Sequence, residues 1–211
     1  MGSVVVRPLS PDRLVEELVD RVVEQRPHER LAVAVDGPEA AAPDEWAASL
    51  VDPVKVRGRP VLHVPARWFL RPASLRFEHG RQDPDAFYTD WLDVGGLRRE
   101  LLEPLEPDGS ARVLPSLWDP ETDRATRADY LTLAPNTVVL LSGSLLLGRS
   151  LPLRLTIHFS LSSGALRRRT PPERCWTLPA YARYEREVAP GDTADLVVRA
   201  DDPDHPALVL P

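Results

Sequence analysis

Cysteine and lysine are almost missing from these 211 residues, Cys175 and Lys55 being the only examples of each. One cysteine excludes an internal disulfide and a cysteine-based metal cluster, and the five histidines show no metal-ligand spacing, so no metal site is expected. No apolar run approaches the roughly 20 residues of a membrane helix, and the start, MGSVVVRP, lacks the h-region and cleavage site of a signal peptide. A cytoplasmic protein without membrane contact is the expectation. A net charge of −6 leaves no general basic face for a phosphate backbone, so nucleic acid is not an expected partner. Apolar residues, at 43%, are plentiful enough for one globular domain spanning residues 1–211.

In chain order, Ser10 and Pro11 read as an N-cap and first helical residue, and Leu14, Val15, Leu18, Val19, Val22 and Val23 recur with helical spacing, predicting a leading helix over 11–26. Leu31 to Val35 is a continuous apolar run of the kind found in central parallel strands. Further strands are expected over 60–64, 137–141, 153–159 and 195–199, with helices over 44–51 and within 162–188, and a proline-rich tail to finish. His63, inside the second strand, reads as a packed core histidine. Between 65 and 133 the chain is rich in aromatics and arginine, turns helical near Asp93, and then suggests a hairpin with Asp119-Pro120 in its turn. Such a loop suits a ligand pocket or a surface loop anchored by its aromatics. Buried strands separated by helices indicate an α/β doubly wound sheet.

The chemistry-bearing stretch is LAVAVDGPEAAAPDEWAASL, residues 31–50, a strand, a tight loop and a helix. That is the frame of a phosphate-binding P-loop, which counted from Gly37 requires glycine, lysine and Ser or Thr where this chain has Ala42, Pro43 and Asp44. A working loop surrounds phosphate with backbone N–H groups and an ammonium, and holds Mg²⁺ by the hydroxyl. Pro43 supplies neither N–H nor charge. Asp36, Glu39, Asp44 and Glu45 add carboxylates, and no basic residue lies between Asp36 and Pro53. Ala42, if held at positive φ, costs roughly 1 kcal/mol relative to glycine. Proline at the first helical position with acids in the first turn instead makes a good helix start.

VAVDG, RFEHGRQDPDAFYTDWLD, LLEPL, WDPETD, VVLLSGSLLL, LRRR and TADLVVRADDPDHP occur in an order and spacing that resembles the uridine kinase family of P-loop nucleoside kinases, over about residues 31–208. The resemblance implies a three-layer P-loop NTPase-like fold with a mainly parallel five-stranded sheet and a small lid and hairpin insertion. It also implies ATP and Mg²⁺ as cofactors and a nucleoside 5′-hydroxyl as acceptor. Carried over residue by residue, it puts the nucleotide loop on Asp36, Gly37, Pro38, Glu39, Ala40, Ala41, Ala42, Pro43 and Asp44. It puts the acceptor site on Arg67, Phe69, Arg76, Gln82, Tyr88 and Trp91, with Phe87 and Asp93 nearby, and the lid on Arg167 and Arg168. The family's catalytic aspartate falls on Arg67, which cannot act as a base, and the acid at the end of the third strand falls on Ser142.

Two readings follow. Loss of lysine, hydroxyl and aspartate together removes most of what phosphoryl transfer needs, leaving a protein that binds a small molecule or a protein partner. Alternatively, an active nucleoside or small-molecule kinase binds ATP in altered geometry through Arg67 and the lid arginines. Charge reversal across the cleft further predicts an ion pair from Arg67 to Asp44, Glu45 or Asp36, plugging the phosphate site.

Overall fold

The computed structural model describes residues 5–210, so the first four residues of the MGSVVVRP start lie outside them. Its main strands in chain order are β1 (Val5–Pro8), β2 (Leu31–Asp36), β3 (Val61–Pro65), β4 (Val138–Gly143), β5 (Leu155–Ser160), β6 (Leu196–Arg199) and β7 (Ala207–Leu210). The principal helices are α1 (Pro11–Glu24), α2 (Pro43–Val56), α3 (Pro84–Thr89), α4 (Ser163–Arg169) and α5 (Leu178–Glu187). Among the described residues the strands form one sheet in the order β1-β7-β6-β5-β2-β4-β3. From β6 to β3 it is a five-stranded parallel core, and β7 and β1 extend it antiparallel at one edge. The proline-rich tail is thus partly a strand, a correction to the expectation above. Pro206 and Pro8 flank a ladder in which Val6 pairs with Val209.

Every residue of β2 is buried, as a strand covered on both faces must be. Leu31, Val33 and Val35 pack with Leu14, Leu18 and Val22 of α1 and with Leu50 and Val54 of α2. Ala32 and Ala34 face the other way, into a second cluster with Phe69, Leu101 and Leu141. Helices on both sides of the sheet give three layers. Each fully buried leucine or valine contributes about 1.5–3 kcal/mol, so this alternation fixes the strand's register.

Local signals explain the elements around this core. Ser10 caps α1, its side chain accepting from the Arg13 N–H, and Pro11 takes the first turn. Beyond β3, residues 66–105 form short helical turns rather than one long helix. Asp83 caps α3 through the Ala86 N–H at 2.7 Å, and Asp93 caps the turn Val94–Leu97 through the Gly96 N–H at 2.8 Å. The hairpin forms where expected, Trp118–Asp119 pairing with Arg124–Ala125 around Asp119-Pro120. The C-terminal ends of β2, β4 and β5 meet at one level, with Asp36 beside Gly143 on one side and His158 on the other. Strand order diverges on the two sides of β2 there, which is where open α/β sheets place their ligand crevice.

Candidate functional site

Gly37 leaves β2 so close to β5 that a Cβ would sit 2.8 Å from the Phe159 carbonyl, so only glycine fits. The loop then closes as a 3₁₀ turn over Glu39–Ala41, and α2 starts behind Ala42 at φ 55°, ψ 51°. That is left-handed backbone, the conformation that glycine adopts at no cost. The N–H groups of this turn already have partners. Gly37 N donates to Gly143 O, Glu39 N to the Tyr181 hydroxyl, Ala41 N to Pro38 O and Ala42 N to Glu39 O. Pro38 and Pro43 have none to give, which leaves Ala40 and Asp44 as the remaining backbone donors over 37–44.

The loop's carboxylates are engaged too. Glu39 takes two bonds from Arg174, at 3.0 and 2.7 Å, tying the loop to the Pro172–Thr177 turn between α4 and α5. Asp44 accepts from the buried Ser142 hydroxyl, to which His63 Nε2 lies at 2.9 Å. His63 is half-buried, and burial holds its pKa below the ordinary histidine value against the opposing pull of Asp44. Asp36, fully buried, turns away from the cleft. Its carboxylate accepts from His158 Nδ1 at 2.7 Å, the Tyr184 hydroxyl at 3.0 Å and the Leu146 N–H at 2.9 Å. Burial, reinforced by Asp36, pushes the Tyr184 phenol far above its usual range, so it stays a donor.

In front of the loop lies a cavity of about 320 Å³. Glu39, Asp44 and Glu45 form one wall, and Arg67, Arg149 and Trp91 face it. Arg67 makes no ion pair with Asp44, Glu45, Asp36 or any other carboxylate among the described residues, so the expected plug is not formed. Its guanidinium instead lies 5.0 Å over the Trp68 ring, while Asp36 and Asp44 are held by His158 and Ser142. Arg149 donates to the carbonyls of Leu145 and Tyr88, also without a carboxylate partner, and burial lowers its pKa. Phe87 meets Trp91, Trp176 and Tyr181 edge to face, with Phe87 and Trp91 centroids 5.1 Å apart, and Trp91 and Trp176 are tilted against each other. Trp91 is 8% exposed and its indole N–H has no hydrogen-bond partner among the described residues.

Of the residues assigned by resemblance, Ala42, Pro43, Asp44, Glu39, Arg67 and Trp91 line this cavity. Phe69 is fully buried core, and Gln82 is exposed. Arg76 is buried against Arg71 and Pro120 carbonyls and near Asp123, beneath the hairpin. Tyr88 lies behind Arg149 in a smaller cavity. Arg167 and Arg168 are exposed on α4, outside the cleft lining, and Arg174, in the turn between α4 and α5, is the arginine of this region that reaches the loop. Arg149, Arg174, Tyr181 and the Asp36–His158–Tyr184 network escape sequence reading. Among the described residues no cluster of acidic, histidine or cysteine side chains is arranged to hold a metal ion.

A parallel core with a turn and helix after its central strand, and a lid between the fourth and fifth parallel strands, is the fold of the P-loop kinases. The chain is similar to a structure described as "a Possible Uridine Kinase from Bacillus stearothermophilus", with TM-score 0.71 and 17% identity over 88% of this chain and 97% of that one. A "putative fructose transport system kinase" from Silicibacter sp. TM1040 is also similar, with TM-score 0.59 and 20% identity over 84% of this chain and 89% of that one. At such identities the likeness establishes the fold. Neither a protein-family model nor a curated protein matches the chain. No helix among the described residues is long and apolar enough to cross a membrane.

Proposed function

We propose that this is a uridine kinase-like protein that has lost ATP-dependent phosphoryl transfer and acts in the cytoplasm by binding a small molecule or a protein, of which the cleft favours the small molecule. The observation that carries this reading is the internal use of the loop's N–H groups, with proline and aspartate where lysine and hydroxyl would stand. Phosphate there would meet Glu39, Asp44 and Glu45 with at most two backbone donors and no cation of the loop's own. ATP and Mg²⁺ do not fit these residues, and no transfer step is assigned to them. Support for small-molecule binding comes from the opposite wall. Arg67 and Arg149 line about 320 Å³ edged by the Phe87, Trp91 and Tyr181 rings, which favours a ring-bearing ligand with acceptor atoms for the guanidiniums.

Arg67, which makes no ion pair among the described residues, is the one feature that favours the alternative of an active nucleoside kinase with an unconventional ATP site. Arg167 and Arg168, the other cations that reading needs, lie outside the cleft lining. Calorimetric titration of the whole protein with ATP·Mg²⁺, and separately with uridine, tests the proposal. The expected result is no measurable ATP affinity and no uridine phosphorylation. Micromolar ATP binding, or turnover abolished by Arg67→Ala, would overturn it. The changes Ala40→Gly, Ala42→Gly, Pro43→Lys and Asp44→Thr made together should raise ATP affinity by more than their separate effects combined, because backbone cradle and cation act as one unit. Additive increments would contradict that account.

A further inference from the structure

The charges around the main cleft do not close on one another. Three carboxylates, Glu39, Asp44 and Glu45, and three guanidiniums, Arg67, Arg149 and Arg174, line the cavity of about 320 Å³, so its formal charge is zero. Among the described residues Glu39 and Arg174 pair with each other, while Asp44, Glu45, Arg67 and Arg149 make no ion pair. Asp44 commits one oxygen, Oδ1, to Ser142, Arg67 lies over the Trp68 ring, and Arg149 donates to the Leu145 and Tyr88 carbonyls. Topology sets two of these groups around one point. Asp44 is bonded to Ser142 near the end of β4, and Arg67 stands two residues beyond Pro65, which pairs with the same Ser142 between β3 and β4. A carboxylate and a guanidinium thus flank one strand end on the wall of one cavity without meeting.

We infer that the ligand of this cleft is a zwitterion of the aromatic α-amino acid class, its ammonium received by Asp44 and Glu45, its carboxylate by Arg67 with Arg149, and its ring by Phe87, Trp91 and Tyr181. This rests on the reading that the cleft binds a small molecule. Charge decides among the classes of ligand. An anion would meet Asp44 and Glu45 as like charges, and a cation would do the same to the guanidiniums. An uncharged ring would displace water from all four groups and return no partner to any of them. A dipolar molecule satisfies both sets. An α-amino acid carries its two charges on one carbon, as a carboxylate and a guanidinium around a single strand end require, and a guanidinium offers a carboxylate two parallel N–H bonds. Away from the charges the wall is apolar, with Leu70, Leu92 and Leu145 beside the three rings, so the side chain it suits is aromatic. A cavity of about 320 Å³ is small for a ligand site, in keeping with a molecule of this size.

The test is calorimetric titration of the full-length protein with L-phenylalanine, phenethylamine and 3-phenylpropionate, which share a ring and chain and carry both charges, the cation alone and the anion alone. Phenylalanine should bind with a Kd of about 1 mM or below, as expected for so few heavy atoms. Each single-charge analogue should bind about tenfold more weakly or worse, the loss of one charge-assisted contact. Asp44→Asn should narrow the gap between phenylalanine and 3-phenylpropionate, and Arg67→Gln the gap between phenylalanine and phenethylamine. Equal affinity for phenylalanine and 3-phenylpropionate in the wild-type protein overturns the zwitterion, and gaps unchanged in both folded variants overturn the assignment of its ends. Absence of phenylalanine binding overturns the inference altogether, while uridine binding in the parallel titration would then keep the small-molecule reading.

Discussion

On the loop side of the cleft, four of the six backbone donors over 37–44 are used within the protein, and Glu39 and Asp44 are already paired with Arg174 and Ser142. On the facing wall, Arg67 and Arg149 have no carboxylate partners and the Trp91 N–H has no partner at all among the described residues. In a P-loop kinase fold the loop normally supplies anion recognition through main-chain N–H groups. Under the proposed function, recognition falls to side chains across the gap. A fold can therefore keep its strand order and crevice while the chemistry of that crevice is reassigned.

The comparison breaks hardest at Asp36, the most interior group on the loop side. Asp36→Ala leaves His158, the Tyr184 hydroxyl and the Leu146 N–H without their common acceptor. The expected loss is about 3–5 kcal/mol in urea unfolding, and a loss below about 1 kcal/mol would mean the network contributes little. Ala42→Gly should go the other way, stabilising the loop by up to about 1 kcal/mol because φ 55° no longer strains a side chain. An unchanged midpoint of thermal unfolding would place the cost elsewhere.

His63 sharpens the contrast through pH. Its folded pKa is depressed by burial, so the unfolded chain takes up a proton first on acidification. Stability should be fully present above the unfolded value of about 6.5 and decline as pH falls from there through the lower folded value. His63→Gln should flatten that slope, measured by unfolding midpoints across the window. Smallest is Arg174→Ala. The Glu39 pair is partly exposed, at 31% and 65%, so stability should change by no more than about 0.5 kcal/mol. Amide exchange at the Glu39–Ala41 turn should nonetheless quicken, and unchanged exchange would show that Tyr181 alone holds the loop.

Much of the scaffold was legible because its signals are local. β2 announces itself as an apolar run, α1 carries both a cap and a 3.6-residue period, and Asp119-Pro120 marks a turn. β1 and β7 were not: each is four residues long and contains or adjoins a proline, and among the described residues β1 pairs only with a strand about two hundred residues away, while β7 follows the irregular DDPDHP turn after β6. The loop's substitutions could be read directly against the P-loop pattern, but their consequences could not. Whether Ala42 is left-handed, or Glu39 N–H is taken by Tyr181, depends on how α5 packs. Asp36 and His158 each look like an odd polar residue in an apolar strand. Only the parallel register of β2 and β5 reveals them as a pair.

The pairing of β1 with β7 bears on how this chain reaches its native state during synthesis. The first of these strands leaves the ribosome about two hundred residues before the other exists, and β7 is the only strand it pairs with among the described residues. Before β7 is made, β2 to β5 can already pair with one another, yet β1 must stay unpaired or find a temporary partner. Unpaired strands of this kind attract other chains, and non-local closure is slow. Completion of this sheet edge therefore waits for β7, and a permuted chain joining β7 directly to β1 would turn a contact between distant segments into a hairpin.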